Sequence, residues 1–315
     1  MVHAVANAFC DTGTSIYLRE KTMHHPHYFH CATKGLEKTI LFQNAREFIA
    51  GMNRIAFCLA SIRQKERLII VCFCLMDNHV HFILYGTKAT CLEFMRLYER
   101  LTCIWLANHR DGFHIEEKWE FDAWLIPDRE NLQEKIAYVH RNPHVGGIRC
   151  TPAGYRWSSA NLPFSDHSLI MTIGKKLGDY SLYEKRKMLE TKIQLPDDWL
   201  ILPDGLIWPG SYTDYFLEEK VFGNIGRFLF LQNQKVEAQV NQEMLSESIS
   251  LPDGDIKKML AALSTEVYAV EDPTLLSVDQ RIELCRRLRK KVWANSKQLA
   301  RVVGVSPKEL KEIIG

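Results

Sequence analysis

The sequence has no apolar run long enough to span a bilayer. Its longest, Leu68 to Met76, is nine residues, against the ~20 that a membrane helix requires. The N-terminus lacks the succession of basic, apolar and small residues that marks a signal peptide, so a cytoplasmic protein with no membrane partner is expected. Cysteine is present but unorganised. Nine residues form an odd, scattered set, and Cys72 and Cys74 alternate inside the apolar run as small buried hydrophobes, not as a disulfide or zinc framework. Fixed-period repeats, low-complexity tracts and a Gly-x-x-x-x-Gly-Lys phosphate loop are absent as well, which removes solenoids, collagen, coiled coils and the commonest nucleotide-binding class.

What remains is ordinary globular chain. It has 315 residues, 46% hydrophobic and 25% charged, enough for about two domains with real cores. A formal net charge of +2 hides an uneven distribution. From Arg281 to the end, ten Lys/Arg stand against three Asp/Glu, a surplus that suits an anionic polymer or a solvated helical face equally well.

Patterning divides the chain into a leader (1–23), a first domain (24–162), an accessory region of unassigned role (163–250) and a basic helical module (251–315). Tyr28 to Leu41 reads as a strand with a loop. Asn44 and Glu47 have the spacing of a capping box ahead of a helix through Ile49, Met52, Ile55 and Leu59. Leu68–Met76 and His79–Tyr85 flank Asp77-Asn78 as a hairpin. Leu92 to His109 is helical, Trp119 to Ile126 is a strand candidate, and Asn131 is placed to cap a helix that Pro143 would stop. This order predicts an α+β fold, a largely antiparallel sheet with helices on one face. At the C-terminus, Ser296 and Ser306 are cap positions around Gly304. A basic helix through Arg286, Arg287 and Lys291 precedes them, and the whole reads either as a helix-turn-helix or as a plain helical hairpin.

Two constellations bear on chemistry. In a strand, His79 and His81 project from one face while Val80 and Phe82 point to the other, so both imidazoles can reach one cation. Alone, such a pair is as readily incidental as functional. Tyr138 and Asn142 are four apart and share a helix face. Alone, they read as a core aromatic and a helix stop. The cluster His24-His25-Pro26-His27 with His30 reads as a polar lead-in strand outside any metal site.

Taken together, Met76-Asp77-Asn78-His79-Val80-His81-Phe82-Ile83-Leu84 resembles the metal-binding strand of HUH-type single-tyrosine transposases. Tyr138 to Pro143 resembles the Tyr-Ile-x-x-Asn-Pro element of their REP-associated branch. The resemblance spans residues 24 to 162. It implies an HUH core of ferredoxin or RRM-like type, with Tyr138 as nucleophile and His79, His81 and Asn142 as ligands of Mg2+ or Mn2+. It also implies a DNA transposase or single-strand endonuclease that forms a 5′-phosphotyrosine on single-stranded, hairpin-bearing DNA without a nucleotide cofactor. Its Asn-Pro branch leans toward a monomer over a homodimer. Arg129, Arg286, Arg287, Lys291, Lys297 and Lys308 are candidate DNA contacts, and Trp105, Trp119 and Trp124 are candidates for base stacking or for core. Two competing readings are a catalytically silent DNA-binding regulator with the same fold and an unrelated metal-dependent phosphoesterase.

Overall fold

The computed structural model describes residues 25–33, 36, 39–115, 119–146, 148, 150–233, 253–291, 296–305 and 310. The leader and, apart from Leu310, the helix expected from Ser306 onward lie outside them. The core begins β1 (His27–Thr33), α1 (Ala45–Arg63), β2 (Ile69–Leu75), β3 (Val80–Gly86), α2 (Lys88–His109), β4 (Phe121–Ile126), α3 (Arg129–Val145). The four strands form one sheet in the order β2-β3-β1-β4 with every neighbouring pair antiparallel. The α+β class is as expected.

The helices are not confined to one face. Phe29, Cys31, Phe73, Val80, Phe82 and Leu84 pack with α1 and α2. Cys74, Ile83 and Ile126 pack on the other side with Leu132, Ile136 and Val139 of α3. The strands are apolar on both faces, as a sheet covered on both sides requires, and that continuous apolarity hides the second layer from a periodicity argument. A register shift between Ile70 and Cys72 is a bulge that turns both Val71 and Cys72 toward the α3 side.

Asn44 caps α1 as expected, while one capping bond and both ends of α3 differ from expectation. Glu47 donates its backbone N–H to the Asn44 side chain at 3.1 Å, but its carboxylate accepts from the backbone of Gln43 at 2.6 Å and pairs with Arg110, so the reciprocal half of the capping box is displaced by one residue. The cap of α3 is Asp128, which accepts from the backbone N–H of Asn131 at 2.8 Å. A carboxylate in extended backbone just after Pro127 outcompetes Asn131 for that role. Nor does Pro143 end the helix, which runs to Val145. Proline there removes only its own bond to the preceding turn, and the Gly146 N–H bonds to the Asn142 carbonyl at 2.9 Å.

Residues beyond Leu162 build α4 (Ser168–Ile173), β5 (Lys175–Lys176), α5 (Leu182–Leu189), β6 (Leu200–Ile201), α6 (Tyr215–Phe222) and α7 (Ile225–Asn233). Trp199, Ile207 and Tyr212 join the α1/α2 core, while Phe222, Phe228 and Leu231 join α3. Ser158 bridges to Cys74 along the free edge of β2, and Tyr155 donates to the Leu75 carbonyl at 2.8 Å. Helices α8 (Asp253–Tyr268), α9 (Val278–Lys291) and α10 (Ser296–Val303) have a core of their own, which includes Leu299, Ala300 and Val303. Gly304 takes the expected left-handed exit at φ 70°, and the Val305 N–H closes it on Ala300 at 3.0 Å. Among the described residues, no helix is long and apolar enough to cross a membrane.

Candidate active site

The turn between β2 and β3 is held from several sides. The Asp77 carbonyl accepts the backbone N–H groups of Leu41 and Phe42, and the Asn78 amide donates to the Leu36 carbonyl at 2.7 Å. Asp77 Oδ2 accepts the backbone N–H of Asp253 at 2.7 Å, and Arg301 reaches the Asp253 carboxylate at 2.6 Å. The C-terminal module therefore grips the turn that carries His79. Burial beside Asp253 raises the Asp77 carboxyl to about 7.

From this turn His79 and His81 face α3, with ring centroids 5.1 Å apart. Asn142 stands between them. Its Oδ1 is 2.8 Å from His79 Nε2 and its Nδ2 is 3.0 Å from His81 Nε2. The other nitrogen of His79, Nδ1, is 2.8 Å from Asn78 Oδ1. A neutral imidazole has one N–H for these two oxygen acceptors. Burial lowers His79 to about 4, so the ring is neutral near pH 7 and one contact holds no proton. With Nδ1–H given to Asn78, a bare Nε2 faces a bare Oδ1. A small divalent cation fits between such atoms, because neighbouring ligands of an octahedral ion at ~2.1 Å are ~3.0 Å apart.

Tyr138, one turn before Asn142, sets its ring edge against His81 at 5.6 Å and against His30 at 5.8 Å. Burial raises its phenol above the ordinary value. The ammonium of Lys135 lies 5.6 Å over the Tyr138 ring. His81 and Asn142 are buried, whereas His79 and Tyr138 are part-exposed, so the cluster opens to solvent on the Tyr138 side.

His30 belongs to this cluster, contrary to the reading of it as a polar lead-in. It pairs across β1 with Ile83, while His81 pairs with Ala32. The two histidines are therefore diagonal neighbours on one face, with His30 Nε2 3.1 Å from His81 Nδ1. Alternation with Phe29 and Cys31 would have put His30 on the face opposite those residues. Only the strand pairing, which no local pattern carries, brings it to His81. Burial, with a smaller contribution from Lys135, lowers His30 to about 4.

The other candidates scatter. Arg129 donates to the carbonyls of Lys220 and Val221 at the end of α6, both at 2.9 Å, away from the histidines. Arg286 and Arg287 pair with Glu283 on their own helix. The side chains of Lys291 and Lys297, and all of Lys308, lie outside the described residues. Trp105 and Trp119 are buried in the α1/α2 core. Trp124 is 50% exposed with its ring 5.6 Å from His30, at the rim of the site. No family model, curated protein or solved structure matches this chain.

Proposed function

We propose that the protein is a single-stranded DNA transposase or endonuclease, cleaving and rejoining its substrate through Tyr138, as the resemblance to HUH-type single-tyrosine transposases implies. One observation carries the reading. His79 and His81 of one sequence motif meet Tyr138 and Asn142 of another, some sixty residues away, in a single part-open cluster. The order β-α-β-β-α-β with strands arranged 2-3-1-4 supports the ferredoxin-like or RRM-like core that the resemblance implies.

In this mechanism the Tyr138 hydroxyl loses its proton and attacks a backbone phosphorus. The P–O3′ bond breaks, leaving a 5′-phosphotyrosine and a 3′-hydroxyl that takes up a proton. Attack by that hydroxyl, or by another, restores the tyrosine and joins the strand. Burial disfavours the phenolate, and the nearest cation in the cluster is the Lys135 ammonium over the Tyr138 ring. His79, His81 and Asn142 would hold Mg2+ or Mn2+, which supplies polarisation of a non-bridging phosphate oxygen and orientation of the leaving group. Trp124 offers a stacking face for an unpaired base, and Lys135 a phosphate contact. No step calls for a nucleotide cofactor, and a cytoplasmic monomer suffices.

The test is a denaturing gel. Full-length protein meets labelled single-stranded hairpin oligonucleotides from the flanks of its own gene, with manganese. A slow band is expected, lost with Tyr138→Phe and with chelator. DNA retained on a native gel with no such band in any condition would favour the silent regulator. Cleavage that survives Tyr138→Phe would favour the phosphoesterase.

A further inference from the structure

Tyr138 and His140 are two residues apart on α3 and so point about 200° apart around it. Behind the helix, Cys72 of β2, His140 of α3 and Glu218 of α6 close on one another. A ring nitrogen, the thiol sulfur and a carboxylate oxygen all lie within 4.8 Å of each other. All three residues are 0% exposed. Among the described residues His140 Nε2 and both oxygens of Glu218 have no hydrogen-bond partner, although Nε2 stands 3.5 Å from Glu218 Oε1.

Two ordinary explanations fit poorly. A carboxylic acid hydrogen-bonded to a neutral imidazole would sit well under 3.2 Å from it and would occupy at least one oxygen. A buried imidazolium–carboxylate pair would need close contact and further donors to offset desolvation, and neither oxygen has one.

A divalent cation would give His140 Nε2 and one Glu218 oxygen a partner, and a water bound to it could donate to the other oxygen. Thiolate, carboxylate and neutral imidazole together with a 2+ ion sum to zero charge, so the loaded site is not penalised by burial as a net ion. Sulfur with imidazole and a single carboxylate is a donor set for zinc, whereas magnesium and calcium prefer oxygen. Gln232 contacts His140 Nδ1. The contact runs through the Gln232 amide nitrogen, which donates to Nδ1 and leaves the ring proton on Nε2. On metal binding the amide would turn so that its oxygen accepts Nδ1–H, the outer support usual for a metal-bound histidine.

We infer that Cys72, His140 and Glu218 form a structural zinc site, with a water completing the tetrahedron, that ties β2, α3 and α6 together behind the Tyr138 helix. Cys72 is then a ligand and not merely the small hydrophobe that its apolar run suggests. On binding, the Cys72 thiol proton and any proton on Glu218 pass to solvent. No redox change occurs. The inference uses none of the residues assigned to DNA cleavage and stands or falls apart from that assignment.

The full-length protein, purified without a histidine tag, is analysed for zinc by mass spectrometry. Chelator-stripped protein is then titrated with cobalt(II). About one zinc per chain is expected in the native protein and in the His79→Ala/His81→Ala double variant, with a thiolate-to-cobalt charge-transfer band saturating at about one equivalent. Cys72→Ser and Glu218→Gln should each hold less than about a tenth of that zinc. Native protein with no zinc and no such band overturns the site. So does zinc that survives Cys72→Ser but leaves with His79 and His81. If the Cys72 and Glu218 variants do not fold, the cobalt band of the native chain decides alone.

Discussion

His30 lies flat against His81, the two rings 11° from parallel with centroids 5.3 Å apart. The contact fixes protons. Asn142 Nδ2 donates to His81 Nε2, so the proton of His81 sits on Nδ1 and is given to His30 Nε2 at 3.1 Å. His30 thus holds His81 in the tautomer that presents Nε2 to Asn142.

Loss of that support is expected to weaken metal binding without removing a ligand. His30→Ala should lower manganese affinity by about 10- to 100-fold, measured by calorimetry. Adduct formation should recover at high manganese, which a direct ligand variant such as His81→Ala would not show.

Acid should unfold the cluster. His30 and His79 have folded values lowered to about 4 by burial, below the ~6.5 of an unfolded histidine. Between those limits the unfolded chain binds more protons, so stability rises with pH and is lost as the pH falls. The melting temperature is expected to hold above pH 6.5 and to drop steadily toward pH 4. A melting temperature that rises on acidification through that window would contradict neutral histidines in the fold.

Arg301 compensates a buried charge. Asp253 is 1% exposed, with one oxygen on Arg301 and the other without a partner. Arg301→Ala should cost about 3–5 kcal/mol, because it strands that carboxylate. Hydrogen exchange resolved by segment should show α8 and α10 loosening first, followed by the Asp77–His79 turn.

Trp124 is expected to act on substrate alone. It is half exposed on the edge strand β4, so Trp124→Ala should leave the melting temperature nearly unchanged. Affinity for a single-stranded oligonucleotide should weaken by about 1–3 kcal/mol, read by fluorescence anisotropy.

The elements of the first domain were legible because each carries a local signal: β-branched runs for the hairpin and a 3.6-residue period for α1 and α2. In the C-terminal module, Gly304 marked the exit of α10. The partnership of His79, His81, Tyr138 and Asn142 was legible only as two motifs side by side. Their meeting depends on α3 crossing β2 and β3, which no local pattern encodes. His30 was missed because its place depends on register between strands fifty residues apart. Glu218 had no signal at all. It sits in a short helix of unremarkable sequence, and only the fold carries it to His140.

Helix α3 has no idle side. Leu132, Ile136 and Val139 are packed beneath it, His140 is sealed behind it, and Tyr138 faces the opening. Some of the single-tyrosine transposases that the sequence resembles hand the corresponding helix to a second subunit. Here the same exchange would tear out a whole apolar seam and open a sealed polar pocket, so under the proposed function a strand joined to Tyr138 would stay with the chain that joined it.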